Sequence, residues 1–455
     1  MKQIIKIAEI LINFQLLIIN STGAQSLQQL YDMADQQSQQ IVVSRTGLQA
    51  ASEAVAAAKS AMLPSVSLGL SGSYNGNALL MSRGFSTSGT TDVIVAGLGP
   101  QQVANGKQDT PHWGNSFTAQ ASQVIYAGGG IRAGIRMAEL GEELARLDVE
   151  KQRQEVRFLI TGYYLDLYKL QNQTTVIDQN ITLTQQLIRN MEARRQQGTV
   201  LKNDITRYEL QLKSLQLARE KLLDAQRIIN HQLCVTLHLG EERTIAVDTL
   251  LLNQEMVALK SVANLQTWQQ TAAENNIGVR LATAQSELSA QKVNATKAAS
   301  LPSLAVIAEN NLFGPYTSDL IPVDANVNTW FVGISLKYDL GSLWKNKHNI
   351  RRARLNHRQS QEQIQLTLED VENGVQANYV NFLTSFKEVE TQLKQVELAT
   401  QNYSVVENRY KNDLALLTDM LDASNMKLSA DIALTDACIQ LLYNYYKLKY
   451  ITSSL

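Results

Sequence analysis

The sequence predicts an α+β fold of unusual proportions: four membrane-type β-strands per chain carried on very long helices, with the whole arrangement written twice. Three observations predict it. All six prolines fall in two windows, Pro64, Pro100 and Pro111 in the first and Pro302, Pro315 and Pro322 in the second. The stretches around those windows lack proline, as extended helices require, since proline removes a donor and clashes with the preceding turn. Inside the windows the apolar residues alternate one by one, the period of a strand.

The helices come first because they are so long. Leu167, Leu170, Ile177, Ile181, Ile188 and Met191 fall on steps of three and four or their sums. Leu428, Ile432, Thr435, Ile439, Leu442 and Tyr446 do the same near the end of the chain. That is the heptad spacing of coiled-coil packing. From Arg132 to Gln197 nothing breaks the helix strongly; Gly134, Gly141 and Gly162 only weaken it. At 1.5 Å per residue this is a rod on the order of 100 Å long. No compact core holds such an element, so it must run along a rod or a tube.

The strands are read next. Val66, Leu68 and Leu70 alternate with small polar residues after Pro64. Trp330, Val332, Ile334, Leu336 and Tyr338 alternate with Phe331, Gly333, Ser335, Lys337 and Asp339. Trp330 and Tyr338 are about 26 Å apart along a strand, the height of the aromatic-girdled apolar band of a membrane barrel. Tyr74, Trp113 and Tyr126 complete the set of interface aromatics. A strand of a soluble sandwich would show the same alternation. Four strands are expected, near 64–74, 115–126, 302–312 and 329–339, with loops over roughly 75–112 and 313–328. They cannot close a barrel alone, and open edges are not tolerated in lipid, so closure needs several chains. Three chains would supply twelve strands.

Composition sets the outer limits. With 455 residues, 44% apolar, and a formal net charge of −1, nothing favours nucleic acid as a partner. Lys2 and Lys6 precede an apolar run from Ile10 to Ile19, and Thr22-Gly23-Ala24 follows. Residues 1–24 therefore read as a secretory signal peptide, against the alternative of a cytosolic N-terminal helix. Beyond it no apolar run approaches the roughly 20 residues of a membrane-spanning helix. Cys234 and Cys438 both fall in helical patterns and are expected as free, packed thiols.

The chain appears twice in outline. Leu63-Pro64-Ser65 recurs as Leu301-Pro302-Ser303, and Tyr126-Ala127-Gly128-Gly129 has a partner in Tyr338-Asp339-Leu340-Gly341. Val156, Tyr164, Arg194, Leu201 and Asp204 match Val371, Tyr379, Arg409, Leu416 and Asp419 at one offset of 215 residues (371 minus 156, 419 minus 204). The first repeat is expected over 25–250, with a helix, two strands, a long helix 131–197 and a helix 203–239. The second is expected over 251–455, with a helix 262–299, two strands, a long helix 348–412 and a helix 416–450. The turns fall at Gln197-Gly198-Thr199 and Asn412-Asp413, far along the helices from the strands.

Taken in this order, these residues resemble the TolC-like outer membrane factors, the outer membrane efflux protein family, over nearly the whole mature chain. The resemblance rests on the two Leu-Pro-Ser strand openers, Tyr126-Ala127-Gly128-Gly129, Tyr163-Tyr164-Leu165, the Arg194-to-Asp204 turn and the stretch Leu442 to Leu448. It implies a homotrimer with a twelve-strand barrel in the outer membrane of a Gram-negative bacterium, continuous with a helical barrel crossing the periplasm. It implies a channel in an efflux or type I secretion system and no cofactor. A periplasmic adaptor would dock at the turns, Gly198, Thr199, Val200 and Leu201 in one and Asp413, Leu414, Ala415 and Leu416 in the other, and would connect to an inner-membrane transporter. The family's paired aspartates at the periplasmic entrance match Asp419 and Asp422 in Asp419-Met420-Leu421-Asp422-Ala423, with Asp204 in the corresponding turn. A spacing of three puts two carboxylates on one helix face; a solvated acidic face is the plainer reading. Where the family carries a closing arginine, this chain has Ala415, so Arg409 or Lys411 would have to substitute.

Other chemistry is weakly signalled. Gly128-Gly129-Gly130-Ile131-Arg132-Ala133 fits a dinucleotide fingerprint, but the following helix is far too long for a βαβ unit. His231, Cys234 and His238 share a helical face yet lack a full ligand set for zinc. No pattern of a hydrolase, kinase or metalloprotease is present. The sequence offers no enzyme. A structural coiled-coil protein of the envelope without channel activity is the competing reading. The cargo is not legible.

Overall fold

A computed structural model of the chain describes residues 25–455 apart from 77, 81–89, 96–98, 105, 109–110, 199, 240–242, 249–251, 253, 255–258, 260–263, 316–323 and 413. The segment read as a signal peptide, and Thr199 and Asp413, therefore lie outside the described residues. Helices α1 (Leu27–Gln37) and α2 (Gln39–Ser60) lead into strand β1 (Ser65–Tyr74). Four short strands follow: β2 (Ala78–Leu80), β3 (Thr90–Val95), β4 (Gly99–Ala104) and β5 (Gly106–Gln108). Then come β6 (Trp113–Ala127), α3 (Gly130–Gln196) and α4 (Lys202–Thr236). The second half runs α5 (Leu265–Asn275), α6 (Ile277–Ala298), β7 (Ser303–Gly314), β8 (Val327–Lys337), α7 (Ser342–Lys345), α8 (Lys347–Lys411) and α9 (Leu417–Ile451).

The chain segregates into two compact units. One contains Leu140–Glu287 and Gln359–Leu455 with the segment ending at Ser52; the other contains Glu53–Glu139 and Leu288–Arg358. In the second unit β1, β6, β7 and β8 form one antiparallel sheet in that order. A bulge between Val124 and Tyr126 shifts the register of β6 against β7. The segment read as a plain loop over 75–112 instead holds two antiparallel pairings, β2 with β5 and β3 with β4. Thr, Val and Ile at 90–95 supply the β-branched residues that favour this.

In the first unit a core gathers Leu30, Ile41, Ile160, Tyr164, Leu233 and Leu442 among others. Tyr164 ties it together: its hydroxyl donates to the Gln25 carbonyl at 2.7 Å and accepts from the Asp248 amide at 2.8 Å. Arg157 donates to the Asp35 carboxylate at 2.6 Å and to the Leu455 carbonyl at 3.0 Å, and its guanidinium lies over the Tyr31 ring.

Two helices were expected to be continuous and are not. The helix read over 262–299 is interrupted at Asn276, and the first helix is interrupted at Ser38. Asn276 is extended, and its Oδ1 accepts from the Val279 amide at 3.1 Å, an N-cap that restarts the helix. Its Nδ2 meanwhile donates to the Ile451 carbonyl at 2.7 Å, so a tertiary contact holds the break. At the other helix starts the local chemistry is plain. Ser26 and Gln29 form a capping box on α1, and Asn264 caps α5. By contrast α3 and α8 continue for 67 and 65 residues, and the interior glycines Gly134, Gly141 and Gly162 do not break α3.

Candidate functional site: helix turns and a two-faced sheet

The turns belong to the first unit. Both are closed by the same apolar cluster, Leu187, Ile188, Met191, Ile205, Tyr208, Tyr403, Met420 and Ala423. Leu187, Ile188 and Met191 come from α3, Ile205 and Tyr208 from α4, Tyr403 from α8, and Met420 and Ala423 from α9, so the two hairpins share a core. Arg194 lies over the Tyr410 ring at 5.7 Å, and Gln211 donates to Asn425 at 2.9 Å, further ties between them. The tyrosines and these two contacts were not singled out from sequence. Their signal was present, because Tyr208 keeps helical spacing with Ile205 and Leu215, and Tyr403 lies whole heptads after Val375 and Phe382.

The first turn reverses on Gly198, whose φ of +79° favours a residue without Cβ. Its amide bonds the Arg195 carbonyl at 2.9 Å. Val200 packs against the cluster, while Leu201 is 72% exposed at the N-cap. The second turn has no glycine. Arg409 holds it instead: its carbonyl accepts from the Leu414 amide at 2.8 Å and its guanidinium donates to the Leu414 carbonyl at 3.2 Å. Ala415 is half-buried, and Leu414 and Leu416 are exposed.

The three aspartates take different places. Asp419 accepts from the Leu416 amide at 3.0 Å, so it caps the start of α9. Leu416 has no side-chain acceptor to return the contact, which leaves half of a capping box. Asp204 stands at the corresponding third position of α4, half-buried, where Leu201 makes no side-chain cap bond. Asp422 is exposed and lines a groove between α8 and α9 with Gln392, Gln395, Asn402 and Asn425. Of the two cations that would have to replace a closing arginine, Arg409 is committed to its own turn and Lys411 pairs with Glu407 at 2.9 Å.

The hydroxyls of Tyr208 and Tyr403 are buried and meet no hydrogen-bond partner among the described residues. Burial pushes both phenols above their ordinary range, Tyr403 to about 12 with Glu407 adding to the effect. They act as apolar bulk at neutral pH.

The second unit presents the sheet. Its register places Leu68, Ala119, Asn310 and Trp330 in one row and Val66, Ala121, Ala308 and Val332 in the next. On this face Leu70 is 84% and Trp330 74% exposed, with Val332, Ile334 and Leu336 comparably bare. The opposite face carries Ser67, Gln120, Glu309 and Phe331 in one row and Gly69, Thr118, Asn311 and Thr329 in another. Tyr74 and Trp113 are register partners at one end, their rings edge to face at 5.2 Å. Tyr126 lies near the end of β6 and Tyr338 follows β8; all five aromatics are exposed. A contiguous bare apolar face of this kind needs a covering environment.

The remaining sequence candidates resolve simply. Gly128 and Gly129 have φ of +61° and +84°, and a Cβ on Gly128 would stand 2.7 Å from the Ala298 carbonyl oxygen and the Leu301 Cβ. They make a close-packed strand-to-helix junction. Cys234 is buried and donates to the Arg243 carbonyl at 3.2 Å, His231 is exposed, and His238 takes a left-handed conformation at the end of α4. Among the described residues no group of three His, Cys, Asp or Glu side chains could hold a metal ion. Both cysteines are free. Among the described residues no helix is long and apolar enough to cross a membrane.

The family described as outer membrane efflux protein matches residues 30–234 and 268–452. No curated protein matches the chain. Among solved structures, the outer membrane protein VceC from Vibrio cholerae is similar at a TM-score of 0.74 and 15% identity, covering 94% of this chain and 96% of that one. The Campylobacter jejuni CmeC outer membrane channel is similar at 0.70 and 16% identity, covering 94% and 85%. The open state of the Neisseria gonorrhoeae MtrE outer membrane channel is similar at 0.68 and 14% identity, covering 94% and 88%.

Proposed function

The chain belongs to the outer membrane efflux protein family, and from that premise we propose that it is the channel of a tripartite efflux or type I secretion assembly. Three copies close a twelve-strand barrel in the outer membrane, and the long helices of the two repeated halves build a tube through the periplasm. A periplasmic adaptor docks at the exposed turn leucines, Leu201, Leu414 and Leu416, and connects the tube to an inner-membrane transporter. The protein conducts and does not catalyse.

One observation carries this reading: a sheet with a bare apolar face, a Ser/Thr/Asn/Gln-rich opposite face and two outer strands, β1 and β8, each paired on one side only. Such a sheet is incomplete in lipid, where unpaired backbone groups cost several kcal/mol each. Edge pairing between copies removes the cost. At the entrance, Asp422 is the carboxylate left to face the axis, since Asp419 is engaged in capping. A ring of three would favour cations.

The test is fractionation followed by conductance. The protein should leave the outer-membrane fraction only with detergent, as a stable trimer, and should form cation-preferring channels in planar bilayers. Asp422→Asn should weaken that preference. A monomer extracted without detergent would instead favour the coiled-coil envelope protein.

A further inference from the structure

The two strand-to-helix junctions of the second unit differ in charge. The head of α3 carries Arg132, Arg136 and Arg146 against Glu139, Glu142 and Glu143. Arg136 pairs with Glu139 at 3.3 Å and Arg146 with Glu143 at 3.1 Å, and Lys59 also reaches Glu139 at 3.9 Å. After β8 the chain has no acid from Leu340 to Gln361, yet it carries Lys345, Lys347, Arg351, Arg352, Arg354 and Arg358. The nearest acid on the strand side, Asp339, is occupied by the Gly341 amide at 3.0 Å.

These cations are displayed by packing. The half-buried seam of α8 is Ile350, Ala353 and His357, and Asn346 anchors it by donating to the Thr296 carbonyl at 2.7 Å and the Ser300 hydroxyl at 2.8 Å. Lys345, Lys347, Arg351, Arg352 and Arg354 are all exposed, and none meets a carboxylate among the described residues. Exposed apolar groups stand beside them in the chain: Leu340, Leu343 and Trp344 follow directly on β8 and its bare row. Next to the patch is a groove of ≈ 320 Å³ whose polar lining includes Lys292, Arg352, Asn349, Asn356 and Ser289, and no acid.

We propose that this second junction binds the anionic headgroups of phospholipids in the membrane leaflet that adjoins the strand ends, with the groove at Lys292 and Arg352 receiving a headgroup phosphate. The proposal rests on the outer-membrane reading above. Its occupant follows from charge complementarity and from continuity with the lipid-facing row of β8. Leucine and tryptophan enter the acyl boundary, while lysine and arginine stems extend to the phosphates. A basic residue near an anionic surface contributes about a fivefold gain in affinity.

The test uses the full-length protein, purified in detergent, delipidated and offered phosphatidylglycerol or phosphatidylethanolamine, with retained lipid read by native mass spectrometry. The wild type should retain phosphatidylglycerol at least about fivefold better. Replacing Lys345, Lys347, Arg351, Arg352 and Arg354 together by Gln should abolish the preference. The narrower Lys292→Gln/Arg352→Gln pair, which leaves the Asn346 anchor untouched, should reduce it. Arg132→Gln/Arg136→Gln/Arg146→Gln should not. Equal retention of both lipids by the wild type overturns the proposal, as does equal loss in the α3-head variant. Full displacement by millimolar inorganic phosphate assigns the groove to a free anion and overturns the headgroup. A protein absent from the outer-membrane fraction sinks the channel reading itself, whereas one recovered there without lipid preference sinks only this inference.

Discussion

The first and second halves of the chain use nearly the same lengths of helix for different local chemistry. Their helices run to 11, 22, 67 and 35 residues in one and 11, 22, 65 and 35 in the other, apart from the one-turn α7. Their ends do not correspond. The first half enters its long helix through Gly128 and Gly129 at positive φ; the second has Leu340 in the place of Gly128 and organises the turn with Asp339. The first reverses on Gly198, the second on Arg409. Helix length is a shared architectural constraint, since the hairpins must pack side by side. Ends answer only to their own neighbours and are free to diverge.

Mutations at matched ends should expose the divergence. The largest effect belongs to Gly128→Ala, which meets both an unfavourable φ and backbone at 2.7 Å. It should cost about 2–4 kcal/mol, read as a lower thermal midpoint by circular dichroism in detergent. Gly341→Ala, with Asp339 Oδ1 at 3.1 Å and an ordinary φ, should cost about 1 kcal/mol or less. Equal losses would break the comparison. Gly198→Ala meets nothing within 4 Å and bears only the left-handed strain, about 1 kcal/mol.

A finer contrast lies between the aspartates. Asp419→Ala removes an observed bond to the Leu416 amide and should cost about 1 kcal/mol. Asp204→Ala should cost about half that, through the helix dipole alone. If the two losses match, capping is not what separates the turns.

The smallest effect is a gain. Burial raises the Asp431 carboxyl above its ordinary 3.8, against the pull of Lys427. The native state then binds its proton more tightly than the unfolded chain does. The associated stability is fully present below the ordinary value and is lost as pH rises through the raised one. The corresponding first-half residue, Gln216, is uncharged. Asp431→Asn should therefore stabilise the protein by up to about 1 kcal/mol at neutral pH, with the advantage fading on acidification. An advantage that grows in acid would reverse the argument.

Much of this is legible in the sequence. Heptad spacing and proline placement reveal long helices because both act through local backbone chemistry. Alternation in Trp330 to Tyr338 reveals the bare face because pleating fixes the period. The break at Asn276 was less visible, since a cap in mid-helix is held by Ile451, far along the chain. The division of labour between Asp419 and Asp422 was hidden too. A three-residue spacing puts them on one face, but only the N-terminal position of Asp419 lets it fold back onto Leu416. The pairings within 75–112 escaped notice because glycine and serine there read as turn residues.

The strand order β1, β6, β7, β8 has a genetic consequence. On the proposed three-copy barrel, a lone chain has no settled inserted state, so entering lipid and counting copies become one event, and one faulty member spoils every assembly it joins. With three copies to a barrel, equal expression of a sound chain and one whose β1 edge is blocked by proline would leave about one assembly in eight wholly sound. Edge mutations in this chain should therefore be dominant, whereas core mutations that keep a chain from assembling at all should be recessive.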